Sequence, residues 1–242
     1  MLAAGSAAAH DTWFARDGAG NLNLGTGNRF PVPELGVDTA HFVLSACRSE
    51  AGSLQPLDKL RYADKATVLR TKLSASKAFT CFVQLKPIEI ELPADKIGIY
   101  FKEIRPGAAV QKAWADLQAR GLPFVETYTK SARIDVGAVS GPVPNGTSMD
   151  VLREAPSGVP AVGSEATFQV LRDGQPLADF AVELINERSA VGLWSRTDAQ
   201  GRIAVRLPLA GRWLLRGTDL RLSNGDPTRW ESQFITYAFD VE

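Results

Sequence analysis

Apolar and polar residues alternate in short runs along most of the chain. In residues 202–208, Ile203, Val205 and Leu207 fall on one side and Arg202, Ala204 and Arg206 on the other. That period of two is what a half-buried strand requires. Comparable runs at 21–24, 40–47, 66–72, 165–172, 180–187, 192–197, 211–216 and 233–241 predict further strands. The long run 77–92 is cut by Pro87, which cannot donate to a ladder, so it predicts two strands or one with an edge break. Residues 124–136 are strand-like without sharp alternation. Two segments switch to helical spacing. Residues 94–104 place Ile97, Tyr100, Phe101 and Ile104 on one stripe and stop at Pro106-Gly107. Residues 108–120 carry Val110, Ala113, Trp114 and Leu117 and end at Gly121.

These elements predict a mainly β chain. An N-terminal β-rich domain at 10–140 carries a short helical insertion near 94–120. Residues 141–163, rich in Gly and Pro, read as a linker region with one short strand near 149–153. Short strands with turns every ~8–12 residues then predict a small immunoglobulin-like antiparallel β-sandwich at 164–242.

Charge and composition narrow the function. Lys plus Arg and Asp plus Glu both number 27, and this zero balance argues against a nucleic-acid binder. No apolar run is long enough for a transmembrane helix. Two histidines exclude a His-rich metal store or a multi-His zinc centre. There is no Gly-x-Ser-x-Gly elbow and no dinucleotide fingerprint. Carboxylates such as Glu89, Glu91, Glu126 and Asp135 read as a solvated strand face.

Residues 1–9 are small and uncharged, and Ala7-Ala8-Ala9 fits the small-x-small pattern of a signal-peptidase site. They read as a signal-peptide remnant, cut before His10; the plainer reading is a featureless Ala-rich terminus. Export bears on Cys47 and Cys81, which both sit in strand-like segments. Free buried thiols would suit the cytosol, whereas in an exported protein the pair is expected to be a disulfide.

Cleavage before His10 would give one residue two nitrogen ligands, its α-amine and imidazole Nδ1, closing a six-membered chelate. Such nitrogens suit Cu(II), Ni(II), Co(II) and Zn(II). His41, in a predicted strand, is the other imidazole and is either a third ligand or an ordinary strand histidine. Asp11 is either a weak ligand, a group that orients an imidazole by accepting from it, or a turn or cap residue. Trp13 and Phe14 read as packing anchors.

Several segments resemble one family in their order. They are Ala9-His10-Asp11-Thr12-Trp13-Phe14, Gly25-Thr26-Gly27-Asn28-Arg29-Phe30-Pro31, Leu92-Pro93-Ala94-Asp95-Lys96 with Tyr100-Phe101-Lys102-Glu103, and Glu126-Thr127-Tyr128 through Arg133. Gly174-Gln175-Pro176-Leu177, Thr197 through Arg202 and Leu209 through Trp213 continue the series. Together they resemble the DUF4198 family of exported proteins. The resemblance implies a periplasmic protein linked to nickel or cobalt uptake, with the mature N-terminal histidine as a metal ligand. The sequence departs from richer members in having only one other histidine. The reading is therefore a non-enzymatic, periplasmic metal-binding or metal-delivery protein. Its metal would be a divalent transition ion, nickel or cobalt with copper admitted, and its partner a metal transport system in the cell envelope. The alternatives are an exported interaction module without metal and a copper-dependent oxidative enzyme.

Overall fold

The computed structural model describes residues 10–74, 78–139 and 144–242. The expected signal remnant at 1–9 lies outside the described residues. In the first half the strands are β1 (Asp11–Arg16), β2 (Leu22–Gly27), β3 (Leu35–Gly36), β4 (Phe42–Ser49), β5 (Leu54–Pro56), β6 (Asp58–Tyr62), β7 (Thr67–Arg70), β8 (Phe79–Leu85) and β9 (Ile88–Leu92). Helices α1 (Ala94–Ile104) and α2 (Ala108–Ala119) follow, then β10 (Phe124–Val136). The second half holds β11 (Met149–Ala155), β12 (Glu165–Arg172), β13 (Gln175–Pro176), β14 (Ala181–Asn186), β15 (Leu193–Arg196), β16 (Arg202–Arg206), β17 (Gly211–Leu222) and β18 (Trp230–Val241).

A nine-stranded sheet runs through both halves in the order β15-β14-β17-β18-β10-β8-β4-β5, with β9 also on β10. The break at Pro87 therefore yields two strands that take successive stretches of the same neighbour: β9 faces 124–128 of β10 and β8 faces 131–136. On one side of this sheet lie the helices and a five-stranded sheet of β1-β2-β7-β6 with β3. On the other lies a four-stranded sheet of β11-β12-β13 with β16. That sheet and β14, β15, β17 and β18 form the expected antiparallel sandwich around Phe168, Val182, Leu215 and Tyr237.

The middle layer explains why residues 124–136 show no clean alternation. Even-numbered Ala132, Ile134 and Val136 face the N-terminal sheet, while odd-numbered Arg133 meets Asp150 of β11 on the other side. A strand covered on both faces has no polar side to display. Glu126 and Asp135, expected on a solvated face, are accordingly buried.

The expected division at 141–163 does not separate two sheets. β10 pairs in parallel with β18, from Glu126 opposite Trp230 to Ile134 opposite Ala238, so the two halves share hydrogen bonds. Met149–Ala155 within that segment is a full strand of the four-stranded sheet. Part of the segment, 141–143, lies outside the described residues.

Cys47 and Cys81 form a disulfide. They are directly opposed on β4 and β8.

Candidate metal centre

β1 is the edge strand of its sheet, so the carbonyls on its open side need partners from elsewhere. Side chains of the middle sheet supply them. Lys130 Nζ on β10 donates to the His10 carbonyl at 2.6 Å, and Thr236 Oγ1 on β18 donates to the Thr12 carbonyl at 2.6 Å. Between these two, the Asp11 carboxylate accepts from Arg216 of β17 at 2.5 Å. Trp13 and Phe14, just beyond, are fully buried in the core as expected of anchors. Residue 10 is thus fastened through its own main chain and through both the side chain and the backbone that follow it.

The His10 ring is only 12% exposed. Its Nδ1 is buried with no hydrogen-bond partner among the described residues, and its Nε2 lies 4.0 Å from Glu34 Oε2. Glu34 is steadied by Asn28, whose main-chain N–H and Nδ2 reach it at 3.3 and 3.4 Å. A buried ring nitrogen without a partner costs about 1–3 kcal/mol. This one is the atom an amine–imidazole chelate would use. Glu34 lies beside the other ring nitrogen, close enough to act on its charge but beyond direct hydrogen-bond distance.

Asp11 is not free to turn toward the ring. Arg216 holds it together with Glu183, which lies 2.6 Å from the same guanidinium. Burial acts to lower the Arg216 pKa, but the two carboxylates outweigh it and the net shift is upward. Asp11, Glu103, Arg216, Trp194 and Phe234 also wall a space of about 20 Å³, room for one water-sized particle.

Lys130 is the unusual group. It is 5% exposed, with its ammonium 5.0 Å from the Tyr128 ring and 5.6 Å from that of Phe234. Burial pulls its pKa down to about 8, against the opposing fields of Asp11 and Glu126. Glu126, four residues earlier on the same strand face, accepts from Tyr100 at 2.7 Å and from Ser232. Burial nonetheless raises the Glu126 pKa, and its second oxygen is buried without a partner among the described residues.

The Lys130 shift has a stability consequence. The folded pKa lies below the unfolded one, so between about pH 8 and 10.5 the unfolded chain holds a proton the folded chain lacks. Stability contributed by this group therefore rises with pH across that window. Relative to Lys130→Met, the native protein should gain on the order of 3 kcal/mol between neutral pH and the top of the window. Urea denaturation of both proteins at the two ends measures it. A gap that does not change with pH would mean the ammonium is hydrated in the folded state.

His41 lies on a different element. Thr39–His41 form one turn of 3-10 helix, capped by Asp38, whose side chain accepts from Ala40 N, and the expected strand begins only at Phe42. The His41 side chain is exposed, and its carbonyl accepts from Lys86 N at 2.8 Å. No hydrogen bond or ion pair joins it to His10 among the described residues, and no three His, Cys, Asp or Glu side chains among them are placed to hold a metal together.

A model of the family described as a domain of unknown function, DUF4198, matches residues 7–218. The chain belongs to the DUF4198 family. No curated protein matches it. The matched span of this DUF4198 chain takes in His10, Glu34, Lys130 and Arg216 but stops short of β18. Of these, sequence reasoning reached only His10. Lys130 had a signal, since a lysine in register with Ala132, Ile134 and Val136 on a core face must be buried. Glu34 had none, because it meets His10 only through the pairing of β1 with β2 and the return of residue 34 to Thr26.

Proposed function

We propose that this protein is an exported carrier of a divalent transition metal, nickel or cobalt with copper as a third candidate. It holds the ion through His10 and passes it to a metal transport system of the cell envelope. The observation that carries this reading is the buried Nδ1 of His10, which has no partner among the described residues, on a residue fastened by Lys130 and flanked by Glu34. Once freed from Ala9, the same residue would add its α-amine, completing the two-nitrogen chelate. Imidazole and amine both lose a proton on binding, so affinity should be pH-dependent. The Cys47–Cys81 bond supports the placement, because such bonds persist in oxidising compartments.

Nickel titration of three proteins tests it: the chain beginning at His10, the same chain retaining Ala9, and His10→Ala. The first should bind, and the other two should lose most of the affinity by comparable amounts, one through the blocked amine and the other through the missing imidazole. Binding should also weaken as pH falls, because protons compete with the metal for its nitrogen ligands. Glu34→Gln should cost about tenfold or more by loosening the ring. His41→Ala should weaken binding least. Equal affinity with and without Ala9 would remove the chelate and favour the metal-free interaction module.

A further inference from the structure

A cleft of about 140 Å³, which His10 does not line, opens where the turn between α1 and α2 meets the edge of the C-terminal sandwich. It has room for several waters or a small polyatomic ion, and less than a drug-sized ligand needs. β17 contributes Thr218 and Leu220, and the other walls are Arg105 to Gly107, the segment 178–181 and Arg196. Most of the charged groups here already have partners. Asp219 is held by Arg172 and, at 2.8 Å, by Arg221. Arg196 donates to the carbonyls of Arg105 at 2.7 Å and Asp179 at 2.5 Å, and to Asp179 Oδ1 at 3.1 Å, so it ties two walls together.

The groups left over are mainly donors. Helix α2 starts at the cleft behind Gly107, with no side-chain cap and no acid in its first turn. The N–H groups of Ala108 and Ala109 donate to nothing among the described residues. Thr218 is 7% exposed, and its hydroxyl has no partner among the described residues. It stands on the same side of β17 as Arg216 and Leu220, the side that meets β1 and the helices, so it points into the cleft. Arg105 lays its guanidinium 3.9 Å from the centre of the Trp194 ring and forms no ion pair among the described residues.

An uncapped helix start, a buried hydroxyl and an arginine together favour a negatively charged oxygen ligand. We propose that this cleft binds a small tetrahedral oxyanion of the phosphate type. Its oxygens accept from the first turn of α2 and from Thr218, and Arg105 answers its charge. Donors from separate elements suit a tetrahedral group better than a planar carboxylate. Asp179 tempers the affinity: its Oδ2 lies 3.5 Å from where a Cβ on Gly107 would be, so a carboxylate stands beside the helix start and competes with the anion.

Inorganic phosphate is the probe. Titrated into the full chain at millimolar concentration, it should shift the amide resonances of Ala108, Ala109 and Thr218. Thr218→Val, which keeps the side-chain shape, should weaken binding about tenfold or more. Arg105→Asn should weaken it and reduce its dependence on salt, since asparagine accepts the left-handed backbone at φ 47°. Asp179→Asn should tighten it about threefold or more by removing a like charge. Sulfate should compete and acetate should not. Unchanged thermal melting of the three variants confirms their fold. Phosphate that leaves those amides unmoved overturns the proposal. So does binding indifferent to both Thr218→Val and Asp179→Asn, which would mark an adventitious ion only.

Discussion

Replacing Arg133 with methionine is expected to destabilise the protein by about 3–5 kcal/mol, the usual result of stranding a buried charge. Arg133 is 2% exposed between the middle sheet and β11. Its Nε lies 3.2 Å from Asp135 and its Nη1 3.2 Å from Asp150. Thr80 and Tyr237 donate to Asp135, each at 2.7 Å, while Asn145 N–H and Nδ2 hold Asp150 at 2.9 and 3.1 Å. Without the guanidinium, two carboxylates remain buried with neutral donors only. Burial already raises the Asp150 pKa in the native protein, against the pull of Arg133. The variant should raise it further, so its folded state takes up protons at pH values where the unfolded chain does not. Its deficit should therefore shrink toward about pH 4 and be largest at neutral pH. Adding Asp150→Asn should recover part of the loss. Lys112→Ala, which breaks only the exposed pair with Asp116, should change stability by no more than about 0.5 kcal/mol. Urea midpoints across pH measure all of these. A neutral-pH loss near that of Lys112→Ala would mean water reaches the network.

Removing the disulfide is the second large effect. Cys47 and Cys81 are 34 residues apart in sequence, and in the chain-entropy model the cross-link contributes roughly 3–4 kcal/mol. The loop it closes contains β6 and β7, which belong to the five-stranded sheet, whereas β4 and β8 belong to the middle one. The bond therefore joins neighbouring strands of one sheet and closes the loop that carries two strands of the other. Cys47→Ala/Cys81→Ala should lower the melting temperature by about 10 °C for a chain of this size. Hydrogen exchange should quicken first at residues 54–70 rather than in β17 and β18. Uniform acceleration across all three sheets would mean that the loop has no independent opening.

The parts of the fold that were legible in the sequence share a physical reason. Helix α1 was readable because Ile97, Tyr100 and Ile104 bury one stripe and Pro106 closes it. β16 of the C-terminal sandwich was readable because Ile203 faces a core while Arg202, Ala204 and Arg206 are exposed. β6 was not readable: all five of its residues are exposed, so no periodicity marks it, and it exists only by pairing with β7. The shared sheet was hidden for a different reason. Nothing local to 126–134 names 230–238 as its neighbour, because parallel pairing across a hundred residues is set by the whole topology. The candidate centre divides the same way. His10 and the cysteine pair announced themselves by residue type, while Glu34 and Arg216 join the site from sequence-distant strands and loops.

The place of β18 bears on how damage to one strand would spread. It lies between β17 and β10, at the middle of the nine-stranded sheet, and it contributes to all three cores through Trp230, Tyr237 and Ala238. Taken away, it would leave β15, β14 and β17 as one fragment and β10, β8, β4, β5 and β9 as another, each with a raw edge. A substitution that loosens this single strand is therefore felt on both faces of the sheet and in both halves of the chain at once.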